Sequence, residues 1–105
     1  MQGSDVHIST ATARQKVNVL MLERVNHLLL SGEPTLILND AEKWVWRVPV
    51  DFTYGRKGRI ATVGEIDVDA SQGRIYFDDD ILAQIARHAD KIAQTEAAYH
   101  EFAIA

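Results

Sequence analysis

A single α+β domain is expected of this sequence: an N-terminal helix, an antiparallel sheet of three to four strands, and a C-terminal helix (α-β-β-β-β-α). Three features point to it. Apolar residues from Val17 to Leu30, and again from Ile81 to Tyr99, recur at three- and four-residue steps, the period of one helix face. Between those windows, Trp44, Trp46, Val48, Val50 and Phe52 alternate with Val45, Arg47, Pro49, Asp51 and Thr53, the period of a strand. Asn39-Asp40 and Ala70-Ser71-Gln72-Gly73 then supply turn chemistry where the apolar runs stop.

In chain order, residues 1–8 read as a loose leader and 9–105 as the domain. Ser9 or Thr10 can cap the first helix, because a hydroxyl accepts one of the orphan amides of the first turn. That helix is expected to run to Leu30 or Ser31, with Gly32 in the left-handed position after it and Pro34 barring continuation. At 100° per residue Val17, Leu20, Met21, Val25, Leu28 and Leu29 share an arc, with Leu22 at its edge, while Val19 and Leu30 fall on the opposite side. Thr35–Leu38 reads as a short strand and Trp44–Thr53 as a long one. Pro49 has no N–H, so the long strand is an edge there or carries a bulge. Tyr54–Arg59 is a basic, glycine-bracketed hairpin tip. The strand Ala61–Asp69 is expected to place Gly64, Ile66 and Val68 inward and Glu65, Asp67 and Asp69 outward, before a short strand over Arg74–Phe77. Asp78, Asp79 and Asp80 suit the positive end of a final helix reaching about His100, followed by an apolar tail with Phe102 and Ile104.

Composition narrows the function. A chain of 105 residues with 47% apolar and 25% charged side chains has the makeup of one globular domain. Its net charge of −4 disfavours a general nucleic-acid binder, which needs surplus cations to neutralise phosphates. The absence of cysteine removes disulfides, thiol nucleophiles and cysteine zinc sites. Met1–Ser9 has neither a basic nor an apolar segment of signal-peptide type, and Val17–Leu30 is too short and polar to span a bilayer. Cytoplasm is the expected address.

Four constellations carry candidate chemistry. Asp67, Asp69, Ser71 and Asp78 have the oxygen spacing of an EF-hand calcium loop, but its sixth position requires glycine and holds Gln72. Glu65, Asp67 and Asp69 project from one strand face, where Arg47 and Arg74 are expected to balance them. His7, His27, His88 and His100 form no HxxxH or HExxH pair. His27 and His88 read as helix-face residues, the first polar and the second lining the core edge. Arg47, Arg56, Lys57 and Arg59, beside Tyr54, form a basic cluster suited to a solvated tip or to phosphates. Trp44 and Trp46 share a face and are both expected in the core, because the alternation continues through Val48, Val50 and Phe52; the alternative is that one opens into a pocket. No P-loop, GxGxxG or GxSxG motif is present.

The segment Gly64-Glu65-Ile66-Asp67-Val68-Asp69-Ala70-Ser71-Gln72-Gly73-Arg74-Ile75 resembles the closing hairpin of a PepSY-type domain, in which a "VDA-x-x-G-x-[IV]" turn follows an N-terminal helix and a long strand. Trp46-Arg47-Val48-Pro49-Val50 ahead of that turn also resembles a group of short bacterial proteins without assigned function. The resemblance spans about Ile8 to Phe77 and implies a non-catalytic module that binds or restrains a protein. It supplies no catalytic residue.

The expected function is therefore a small protein-interaction or regulatory module, with no catalytic, cofactor or metal residues. Two alternatives remain: an antitoxin-like partner of a toxin or nuclease, and a metal-binding protein or enzyme using the acidic strand. Val19, Leu30, Arg56, Lys57, Arg59 and Phe102 are the candidate partner-binding residues. A homodimer through Val19 and Leu30 is expected, with neither nucleic acid nor membrane as partner.

Overall fold

The computed structural model describes the backbone of residues 6–104 and the side chains of residues 6–95. Helix α1 spans Thr10–Arg24, and Ser9 caps it by accepting the Thr12 amide at 3.1 Å. Ala13, Val17, Leu20 and Met21 form its buried face. Just ahead of the cap, the His7 and Ile8 amides both donate to the Ala70 carbonyl at 2.8 Å.

The helix ends at Arg24, well short of the Leu30 or Ser31 limit that the apolar run suggests. Val25 donates the closing helical bond to Met21, and the Asn26 side-chain oxygen then takes the Leu28 amide at 2.8 Å, turning the chain. Strand β1, Leu29–Ser31, comes next and buries Leu29 at 2% exposure against the sheet. A run of three leucines has no period of its own, so tertiary pairing decided its state. Gly32 is consequently no helix cap, and Leu30 does not share a helix face with Val19.

The remaining strands are β2 (Thr35–Leu38), β3 (Trp44–Thr53), β4 (Arg59–Asp69) and β5 (Ile75–Tyr76). All pairings are antiparallel, giving the expected α+β architecture with five strand segments in one sheet. β3 is central: β4 lies on one side, while β1 and β2 lie end to end along the other. Ser31 pairs with Val50 and Thr35 with Arg47, so residues 32–34 oppose only 48–49 and form a bulge. Pro49 sits at that bulge. Its carbonyl accepts the Gly32 amide at 2.8 Å, and its missing N–H faces the one stretch of neighbour that makes no ladder. Gly32 is required by proximity, since a Cβ there would come within 2.8 Å of Asp51 Oδ2 and of Pro49 Cγ.

Both helices cover the same face of the sheet. Val48, Val50, Phe52, Val63, Ile66 and Val68 meet α1 there, together with Leu82, Ile85 and Ala89 of helix α2 (Asp79–Ile104). Asp78 caps α2 by accepting the Ile81 amide at 2.8 Å. Arg24 at the end of α1 reaches Asp79 at 3.4 Å and lies over the Phe77 ring, tying the two helices together. The inward alternation of β3 holds from Trp46 to Phe52, with Trp46 half-buried and its indole N–H donating to the Ile8 carbonyl at 2.6 Å. Val45 departs from the alternation: it is fully buried on the opposite face, between its register neighbours Ile37 and Asp69.

Candidate functional site

The acidic strand is committed internally. Arg47 donates from Nε to Asp67 Oδ1 at 3.0 Å and from Nη2 to Oδ2 at 3.1 Å, with Glu65 at 3.7 Å. Those hydrogen bonds, and the Asp67 charge behind them, raise the Arg47 pKa above its ordinary value. Asp69 is buried at 7% exposure and accepts the Ser71 amide at 2.8 Å and the Gln72 amide at 3.3 Å, fixing the turn to β5. Gly73 completes that turn at φ 80°. Arg74 stacks over Tyr76 and takes no part in the carboxylate network. Of the oxygens that match a calcium loop in sequence, those of Asp67, Asp69 and Asp78 are thus directed to a guanidinium and to backbone amides. Among the described residues, no group of three or more acidic or histidine side chains is placed to hold a metal ion. Millimolar calcium added to metal-free protein should leave the melting temperature unchanged. A rise that vanishes in Asp69→Ala would contradict this arrangement.

The other predicted residues are scattered. Arg56 and Lys57 lie in a single exposed turn of 3-10 helix at the hairpin tip, as the glycine-bracketed sequence suggests. Arg59 leaves that cluster, because β4 starts there and its Nη1 reaches Asp51 Oδ2 at 2.6 Å. Val19 is 46% exposed on α1 and Leu30 42% exposed on β1, on different elements. Phe102 lies outside the described side chains. His27 falls in the turn after α1, and His88, expected at the core edge, is exposed. Trp44 does not follow Trp46 inward. It lines an open notch of about 270 Å³ with Glu42, Lys43, Asp69, Ser71 and Gln72.

The sheet's outer edge carries a contrast that the sequence did not disclose. The Thr53 amide donates to Leu28 and the Pro49 carbonyl accepts from Gly32, so the odd-numbered residues of β3 face β1 and β2. Thr35 and Ile37, opposite Arg47 and Val45, therefore hold the ladder, and Leu36 and Leu38 aim their N–H and C=O groups off the edge. On β1 the outward residues are Leu29, which is buried at 2% exposure, and Ser31, whose groups are closed by side chains. Asn18 Oδ1 accepts its amide at 2.8 Å, while Arg14 and Arg59 each donate to its carbonyl at 3.3 Å. No such cover lies on β2 among the described residues. The leucine side chains beside those open groups are 37% and 50% exposed, on the face shared with Trp44 and Trp46. Their apolar character was plain in Thr35–Leu38, but the direction of their amides depends on the β3 pairing, which no local pattern encodes.

No known protein family, curated protein or solved structure matches this chain. No helix among the described residues is long and apolar enough to cross a membrane.

Proposed function

We infer that this chain is a non-catalytic protein-interaction module that takes up an extended segment of another polypeptide along β2. One observation carries the reading. On β1 the outward groups of Ser31 are met by three side chains and Leu29 is buried, whereas β2 presents four groups with no cover among the described residues, flanked by exposed leucines. An open edge templates a further strand: main-chain hydrogen bonds supply affinity and alternate side chains supply specificity. Native edges are ordinarily guarded by charge, proline or bulges. Here the bulge and both prolines fall beside β2 and not within it.

The test is a pair of variants used as bait in extracts of the native host. Leu36→Pro removes one outward N–H while leaving every bond to β3 intact, and Arg56→Ala alters the basic tip. A bound protein, identified by mass, should be retained by wild type and Arg56→Ala and lost by Leu36→Pro. Equal retention by all three baits would place binding elsewhere.

A further inference from the structure

We propose that the occupant of the β2 edge is a second copy of this chain, paired antiparallel about a two-fold axis through Ile37. This rests on the reading of β2 as a binding edge and names its partner.

The edge is self-complementary in a way that fixes the register. Its outward residues are Leu36 and Leu38, with Ile37 between them bonding inward to β3. In an antiparallel pair, outward residues must face outward residues as hydrogen-bonded pairs. Only a two-fold at Ile37 sets Leu36 against the partner's Leu38 and Leu38 against the partner's Leu36. All four exposed groups of each copy are then used, and Ile37 meets the partner's Ile37 as a close, non-hydrogen-bonded pair. The leucine side chains lie on one face, so each packs on its counterpart across the seam, flanked by Trp44. Two-fold pairing also closes the β2 edge, since the same four groups of each copy are used on both sides of the seam.

The same register sets charged side chains of the two copies near one another. The turn after β2 opens on the Asn39 side chain, which accepts the Ala41 and Lys43 amides at 2.9 Å, and it carries the exposed Asp40 and Glu42. Pairing about Ile37 brings those two acids of one copy towards the Gly32–Pro34 end of the other. Arg14 and Arg59, the guanidiniums that donate to the Ser31 carbonyl, stand at that end with carboxylate partners of their own, Glu33 at 3.7 Å and Asp51 at 2.6 Å. Each end of the seam thus brings Asp40 and Glu42 of one copy near two arginines and the exposed Glu33 of the other, a mixed-charge contact, so the backbone bonds and the leucines carry the pairing. Apolar surface is concentrated along the same edge. Of the six large apolar side chains exposed among the described residues, Leu30, Leu36 and Leu38 belong to its two strands.

The register gives a covalent test, because the chain contains no cysteine. Ile37→Cys places one thiol against its own copy at about 4.5 Å between Cα atoms, within disulfide reach. Thr35→Cys faces the partner's Asn39 and has no thiol opposite. Mild oxidation should therefore convert Ile37→Cys to a covalent dimer and leave Thr35→Cys uncrosslinked. Light scattering of wild type at micromolar concentration should report about twice the 11.8 kDa chain mass. Leu36→Pro and Leu38→Lys should both be monomeric with the wild-type far-ultraviolet spectrum, and the second serves if the first does not fold. Wild type that stays monomeric, a folded Leu38→Lys that stays dimeric, or equal crosslinking of the two cysteine variants would each overturn the proposal. Monomeric wild type that still captures a host protein in a Leu36-dependent way would sink the second copy alone and leave the edge as a binding site.

Discussion

Replacing Phe52 by Ala should lower the unfolding free energy by about 3–5 kcal/mol, the range for deleting a buried aromatic side chain. Phe52 is 1% exposed, sits on the central strand and packs among residues of both helices. Its ring also meets Tyr54 edge-on, with centroids 6.2 Å apart at 85°. Its neighbours on the sheet side, among them Val48, Val50 and Val63, are β-branched and held by the ladder, so they have little freedom to collapse into the space left behind. Arg56→Ala, at the exposed tip, should stay within about 0.5 kcal/mol of wild type. Denaturant melts at a single protein concentration would compare the two, since any association adds a concentration-dependent term. A Phe52→Ala loss as small as that of Arg56→Ala would mean that the inward face of β3 is misassigned.

That inward face was legible in the sequence because alternation is a local property. Five successive even-numbered residues of β3 are apolar, and four of them, Trp46 to Phe52, pack against the helices. The caps at Ser9 and Asp78 and the glycine at position 73 were equally local, each required by backbone groups within a few residues. The departures are of another kind. Leu28–Leu30 fits a helix or a strand equally well, and only the pairing of Leu29 with Phe52 and Leu30 with Asp51 decided between them. The opening of Trp44 onto a notch depends on where two turns end, and Arg59 was lost from the basic tip because Asp51 lies across the sheet. The β2 edge belongs to the same class: its leucines were visible, and the direction of their amides was not. Local chemistry therefore marked elements and turns, while the candidate site arose from pairings that join distant parts of the chain.

Gly64 provides the sharpest check on how α2 sits over the sheet. It faces inward opposite Val50, and a Cβ at this position would lie 2.5 Å from Ile85 Cγ1 and 3.1 Å from Cδ1. The register shifts immediately afterwards, from Val50–Gly64 to Asp51–Thr62, so Val63 is an extra residue and is also buried, at 5% exposure. Two adjacent residues thus point into the core, and the glycine makes room for the helix that its neighbour would otherwise push away. Ile85 is β-branched and 2% exposed, so it cannot swing aside. Gly64→Ala should therefore cost about 1–3 kcal/mol through overpacking. Ile85→Ala alone should cost about 2–5 kcal/mol through the cavity it leaves. The two together should cost less than their sum by about 1 kcal/mol or more, because the new methyl occupies space that the truncated side chain has vacated. Additivity within about 0.5 kcal/mol would show that the two residues do not touch, and α2 would then have to sit elsewhere on β4.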